Sequence, residues 1–232
     1  MTIKQAALLA AVGTTLELVA ALTWPFAFLR APGAWHSPGT VLNVLMALLI
    51  LPVIVILAAA LPMFFVCVYL NEPPLAVPER LQKPALVAAV AAALEAARAA
   101  FFLIRGSISS WGLSGWAPVT GMIVVSVFLL TVTRSSGELQ GAEPRLKKAA
   151  LYAGAIMAIG AISAVATGIW SVIAPWIQQI LPAARGVLPA TWHSILRTSL
   201  GAFRAASLAW FFLQFERTMP TTQSNQRLSS GE

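Results

Sequence analysis

The sequence predicts an all-α membrane protein, a polytopic transmembrane helical bundle with six spans. Apolar residues make up 59% of the 232 residues and charged residues only 10%, whereas an average soluble domain carries about 25% charged residues. The mean hydropathy is +0.81. So little charge excludes a soluble globular domain and a disordered chain. The 15 Lys and Arg residues that give the net charge of +7 are scattered between apolar segments, so they form no basic face for nucleic acid.

Each span is predicted from an apolar run, because a helix needs about 20 apolar residues to cross the hydrocarbon layer. The predicted spans are residues 6–28, 41–70, 84–104, 117–133, 149–174 and 195–215. They fill one transmembrane domain over 1–217, and the polar residues 218–232 predict a disordered cytoplasmic tail. The first run is too long for the apolar core of a signal peptide and is interrupted by Glu17, so we expect it to be retained. Pro175 is expected to end or turn the fifth helix.

The basic residues predict the orientation of the chain. One side of the predicted topology holds nine of them: Lys4, Arg80, Lys83, Arg134, Arg145, Lys147, Lys148, Arg217 and Arg227. The other side holds Arg30, Arg105 and Arg185. Because cytoplasmic loops carry the excess of Lys and Arg, both termini are predicted to lie in the cytoplasm, with the bundle in an inner or plasma membrane.

Tryptophan is distributed in the opposite sense. Seven of the eight tryptophans fall near the predicted outer, periplasmic interface, namely Trp24, Trp35, Trp111, Trp116, Trp170, Trp176 and Trp192. Trp210 is the exception, towards the inner end of the sixth span. Trp side chains favour the level of the lipid headgroups, so the sequence predicts a Trp-rich outer interface.

Two outer loops contain the same short pattern. Residues 32–37 and 189–194 both read Pro-x-x-Trp-His-Ser, and each precedes a span that returns inward. This match suggests three related helical hairpins, as in transporters built from parallel repeats. The alternative is chance, because apolar helices of low complexity align easily with one another.

Four ionisable residues lie well inside the predicted spans: Glu17, Glu95, Arg98 and Arg204. A charge at the centre of an isolated helix costs about 2.5–3.5 kcal/mol, so these side chains are expected to face the bundle interior or water. At about 1.5 Å of rise per residue, both glutamates lie roughly 18–20 Å above the inner charged edge, and Arg204 reaches a similar level.

These four charges support two interpretations. In the first, the glutamates form a cation- or proton-binding site near the midplane, with the arginines as counter-charges. In the second, Glu95–Arg98 and Glu17–Arg204 are static ion pairs that fix helix packing. Residues at i and i+3 share a helix face, which makes the Glu95–Arg98 pair possible within one helix.

A second candidate site lies on the outer side, where His36 and His193 fall in the repeated loops and Arg197 follows one turn later. The histidines could form a proton relay, a metal contact or a haem or quinone contact, and Arg197 could attract an anion. The alternative is an interfacial turn with Arg197 on a lipid phosphate. Two histidines do not complete a zinc site, so we predict no metal, no cofactor and no catalytic residue.

The remaining sequence features bear on partners and function. Gly160, Ala164 and Gly168 have small-xxx-small spacing, which permits close helix packing within the bundle, in a homo-oligomer or with a partner subunit. A small transporter or channel-like permease is the favoured function, and an accessory or assembly subunit of a larger membrane complex is the alternative. An intramembrane lipid-modifying enzyme fits least well, because the glutamates and histidines lie about 15 Å apart in depth.

Overall fold

The structure is a computed structural model that describes residues 2–29, 55, 59–70, 79–105, 113–135, 139–180 and 192–218. Within those residues the regular structure is entirely helical, which confirms the all-α prediction for this part of the chain. The helices are α1 (Ile3–Leu29), α2 (Ala59–Leu70), α3 (Glu79–Arg105), α4 (Leu113–Ser135), α5 (Leu139–Ile180) and α6 (Trp192–Thr218).

Four helices are long and apolar enough to cross a membrane, which indicates a membrane protein. Their apolar stretches are Ile3–Ala20 in α1, Leu81–Phe101 in α3, Trp116–Arg134 in α4 and Pro144–Trp170 in α5. The other two helices are less decisive: α6 has 27 residues but carries Arg197 and Arg204 inside it, and α2 is a shorter apolar helix. Most of the first part of the second predicted span, and the predicted tail after Thr218, lie outside the described residues.

The fifth helix differs from the prediction at Pro175. Helix α5 continues past this proline to Ile180, and it begins at Leu139, before the predicted start of the span. The expectation that Pro175 ends the helix was wrong, because a proline removes only one backbone donor and membrane helices tolerate that loss. At about 1.5 Å per residue, the 42 residues of α5 extend well beyond the roughly 30 Å of a hydrocarbon core.

Helix α5 runs antiparallel to α6 and to α4. The α5–α6 contacts place Lys147 beside Glu216 and Gly154 beside Leu213, so the sequence numbers rise along one helix as they fall along the other. Gly160 faces Ala117 of α4, and Gly168 faces Thr198 of α6. Two positions of the small-residue spacing, Gly160 and Gly168, therefore contact other helices of this chain.

Helices α1 and α3 complete the bundle. Helix α1 packs against α6, and α3 packs against α4, where the buried Ser126 hydroxyl donates a hydrogen bond to the carbonyl oxygen of Ala89 at 2.9 Å. Helix α1 is antiparallel to α6, since Gly13 lies beside Ser207 and Glu17 beside Arg204, and α3 is antiparallel to α4, to which residues 106–112 connect it. The starts of α1, α3 and α5 therefore lie at the same end of the bundle as the ends of α4 and α6.

A cluster of phenylalanine rings fixes the half of α6 nearest this end. Phe65 of α2 meets Phe211 with ring centroids 4.9 Å apart, and Phe128 of α4 meets Phe212 at 4.8 Å and Phe215 at 5.2 Å. These edge-to-face contacts are the favoured arrangement of aromatic pairs. The cluster joins α2 and α4 to the helix that carries Arg204.

Candidate functional site: a charge cluster inside the bundle

A stripe of small residues brings α1 close to α6. Ala6 and Ala10 are fully buried, and Gly13 and Glu17 continue the same face at spacings of four, three and four residues. A Cβ atom on Gly13 would lie 2.5 Å from Oγ of Ser207 and 3.2 Å from Cα of Arg204. Only glycine permits this approach, which places Glu17, one turn further along α1, beside the Arg204 side chain.

Glu17 and Arg204 form an ion pair between α1 and α6. Nη1 of Arg204 donates to Oε2 of Glu17, and Nη2 lies 2.7 Å from Sδ of Met122 on α4. The side chain of Arg204 is only 17% exposed and that of Glu17 is 35% exposed. One guanidinium group therefore contacts three helices, with a carboxylate at one nitrogen and a thioether, which is a weak acceptor, at the other.

Glu95 and Arg98 form a second pair within α3. Nε of Arg98 donates to Oε2 of Glu95 at 2.9 Å, and Nη2 donates to Oε1 at 2.6 Å. This is the two-pronged geometry that suits a guanidinium and a carboxylate. The Arg98 side chain is 48% exposed and the Glu95 side chain 34%, so this pair lies nearer the bundle surface than Arg204 does.

Glu17 connects the two pairs. Besides its contact with Arg204, its carboxylate lies close enough to Arg98 for the two charges to attract each other. We call Glu17, Glu95, Arg98 and Arg204 the charge cluster. The structure thus pairs the four charges that the sequence places inside the predicted spans, in the way that the packing interpretation expects.

Three cluster neighbours were not predicted from the sequence. The spacing of Ala6, Ala10, Gly13 and Glu17 is a signal that could have identified Gly13 as a contact position. Met122 and Ser207 gave no such signal, because a methionine or a serine in an apolar helix has no distinguishing pattern. Ser207 is buried and donates its hydroxyl hydrogen to the carbonyl oxygen of Arg204 at 2.8 Å.

The outer-side candidates are only partly placed. His193 and Arg197 lie in the first turns of α6, while His36 lies outside the described residues. The proposed proximity of the two histidines therefore stays a prediction. Among the described residues, no group of three or more His, Cys, Asp or Glu side chains is arranged to hold a metal ion.

The end of the bundle where α1, α3 and α5 begin and α4 and α6 end is strongly basic. It carries Lys4, Lys83, Arg134, Arg145, Lys147, Lys148 and Arg217, most of them exposed. Lys147 pairs with Glu216 at 3.5 Å. Trp116 and Trp170, at the other end, are exposed on the bundle surface.

Comparisons with protein-family models, with curated proteins and with solved structures find no match for this chain. The charge cluster and the distribution of charge along the bundle are the features of the molecule that bear on its function.

Proposed function

We propose that the protein is a small membrane transporter or channel-like permease, in which the charge cluster binds the ion or solute that moves. One observation carries this proposal: Glu17 of α1 forms an ion pair with Arg204 of α6, and Arg98 of α3 attracts the same carboxylate electrostatically. A shift of α1 that brings Glu17 closer to Arg98 would keep the carboxylate beside a cation. Arg204 would then need another anionic partner, which a transported solute could supply.

The exposure of the cluster supports the same proposal. Arg204 is nearly enclosed, whereas Glu17, Glu95 and Arg98 are each about one-third to one-half exposed. Charged side chains within membrane helices normally face the bundle interior or a water-filled cavity. Because the carboxylates are more exposed than Arg204, a solute could reach the arginine from the side of the cluster on which they lie.

We further propose a six-span topology in an inner or plasma membrane, with both termini in the cytoplasm. The basic end of the bundle supports this orientation, because seven Lys and Arg residues of α1, α3, α4, α5 and α6 gather there. Lys and Arg flanking the spans are retained on the cytoplasmic side.

Cysteine labelling tests the orientation. In a Cys67→Ser background, which removes the only cysteine, Lys148→Cys is expected to react with a membrane-impermeant maleimide only in inside-out vesicles. Ser109→Cys, in the connection between α3 and α4, is expected to react only in intact cells. The reverse pattern would show that the basic end faces outward.

The alternative function is an accessory or assembly subunit of a larger membrane complex, with the charge cluster as a packing device. It is favoured by one specific observation: each glutamate of the cluster is already paired with an arginine. Purification from native membranes in a mild detergent distinguishes the two functions. A stoichiometric partner protein supports the subunit function, and a chain isolated without one supports the transporter.

Flux measurements on reconstituted protein test transport directly. Liposomes containing the wild-type chain and a trapped pH-sensitive dye would be given gradients of protons, sodium or an organic anion in turn. We expect flux above that of protein-free liposomes for at least one gradient. Glu17→Gln and Glu95→Gln are each expected to lower it by about tenfold or more, equivalent to about 1.4 kcal/mol in the barrier, because each removes one of the two negative charges that balance the arginines of the cluster.

Glu216→Gln is the matched control for these variants. It makes the same chemical change in an interhelical ion pair, but at the basic end and away from the charge cluster, so its flux is expected to equal that of the wild type. Flux is expressed per folded protein, measured by monodisperse elution in detergent. Unchanged flux in both cluster variants would exclude the charge cluster as the transport site.

A further inference from the structure

We infer that the charge cluster binds a small organic monocarboxylate, which takes the place of the Glu17 side chain on Arg204 while Glu17 holds a proton. This inference rests on the proposed transport function and names the class of solute for the same site.

The charges of the cluster set the charge of the ligand. The charges that interact with Glu17 are Arg204 from α6, which is its ion-pair partner, and Arg98 from α3, which itself pairs with Glu95. The uncharged thioether of Met122 from α4 contacts Arg204. With all four side chains ionised, two positive and two negative charges cancel. When Glu17 takes up a proton, two arginines and one glutamate remain, which leaves a single positive charge. One monovalent anion restores neutrality.

The two ion pairs are not equivalent, and this identifies the exchangeable carboxylate. Glu95 is held by two hydrogen bonds from Arg98 within one helix, at 2.6 and 2.9 Å. Glu17 reaches Arg204 through one of its oxygens and one guanidinium nitrogen. The bidentate pair is the stronger arrangement. Protonation and displacement of Glu17 therefore break fewer hydrogen bonds than protonation and displacement of Glu95 would.

The hydrogen-bond donors of Arg204 favour a carboxylate as the anion. Its second nitrogen, Nη2, faces Sδ of Met122 at 2.7 Å, where a thioether stands in place of a better acceptor. A guanidinium group presents parallel N–H donors that match the two oxygens of a carboxylate. A bound carboxylate would therefore replace one oxygen of Glu17 and also give Nη2 an oxygen acceptor in place of sulfur.

The energetic reason is the burial of Arg204. Arginine keeps its charge in proteins, and a buried charge that loses its partner costs several kcal/mol. Protonation of Glu17 alone is therefore unfavourable, and so is entry of the anion alone. The two events favour each other, so one proton and one carboxylate enter together and the net charge of the cluster does not change.

Ligand-dependent thermal unfolding of the purified chain in detergent tests this inference, with propionate as the probe. Potassium propionate is compared with potassium chloride at equal ionic strength and with the neutral isostere propionamide, at about pH 5 and about pH 8. We expect propionate to raise the unfolding temperature of the wild type by about 2–4 °C at the lower pH, with a smaller rise at the higher pH.

The variants separate the site from a general salt effect. Glu17→Gln, which is permanently neutral, is expected to respond equally at both pH values when the concentration of ionised propionate is kept the same, because part of the probe is protonated at about pH 5. Arg204→Lys keeps the charge but loses the paired donors, so its response should be at least halved, and Arg204→Met should not respond. Glu216→Gln should behave like the wild type.

Two results would overturn the inference. The first is that neither the wild type at the lower pH nor folded Glu17→Gln responds to propionate. The second is that folded Arg204→Lys responds as strongly as the wild type. Flux in liposomes without a propionate response would remove the solute class and keep the transport function. A propionate response without flux would keep the binding site and remove transport.

Discussion

Replacement of Arg204 by methionine is expected to lower the free energy of unfolding by about 2–3 kcal/mol, less than the full cost of removing one partner from a buried ion pair because the remaining Glu17 side chain is 35% exposed. The change leaves the carboxylate of Glu17 beside α6 without its closest cation. It also removes the contact between the guanidinium group and Met122 that joins α6 to α4. Reversible unfolding of the purified chain in mixed micelles, with increasing denaturing detergent, measures the effect.

A double-mutant cycle shows whether this cost belongs to the ion pair. Glu17→Gln should cost less than Arg204→Met, because the amide oxygen of glutamine still accepts a hydrogen bond from Arg204. In the double variant the two neutral side chains pack without an uncompensated charge. We expect the double variant to recover part of the loss, with a coupling energy of about 1–3 kcal/mol. Additive losses would show that Arg204 acts through packing alone.

Arg98→Met is the matched control for Arg204→Met. It makes the same substitution in the other arginine of the cluster, but the partner lies on the same helix, three residues away, and the side chain is about half exposed. This pair does not join two helices, so we expect a smaller loss than in Arg204→Met. If Arg98→Met lost as much stability as Arg204→Met or more, the Glu95–Arg98 pair within α3 would be the strongest structural contact of the cluster.

The main features of this fold could be predicted from composition and apolar run length. Four of the predicted spans correspond to long apolar helices, because a run of about 20 apolar residues has few other stable arrangements. The error at Pro175 has a physical cause: a proline removes one backbone donor, and the helix continues because the other backbone groups on both sides of it keep their hydrogen-bond partners. The helix preferences of single residues do not include the hydrogen bonds made by the rest of the helix.

The two ion pairs of the cluster could be predicted from the sequence. Helix rise placed Glu17, Glu95 and Arg204 at similar levels, with Arg98 one turn further out than Glu95. The structure pairs these residues as the packing interpretation expected. The electrostatic link between Glu17 and Arg98 was not predicted, since it depends on how α1 and α3 are placed relative to each other in the bundle. Tertiary packing decides this placement. Gly13 and Met122 likewise matter only through their contacts with α6.

Gly13→Ala tests how the approach of two helices positions the charges. The new methyl carbon would lie 2.5 Å from Oγ of Ser207 and 3.2 Å from Cα of Arg204. The serine hydroxyl can rotate away, but the arginine Cα belongs to the backbone, so α1 and α6 must separate. Overpacking of this kind costs about 1–3 kcal/mol, and we expect a loss of that size in the same unfolding assay.

Gly201→Ala on α6 is the control, because a Cβ atom there would meet nothing within 4 Å. Since alanine favours a helix over glycine by up to about 1 kcal/mol, this variant is expected to be neutral or slightly stabilised. A loss in Gly13→Ala no greater than in Gly201→Ala would show that α1 and α6 adapt freely to each other. If the loss occurs as expected, adding Gly13→Ala to the Arg204→Met variant should cost less than it does alone, because the separation of the helices then breaks no ion pair. That non-additivity would show that the small stripe of α1 holds Glu17 against Arg204.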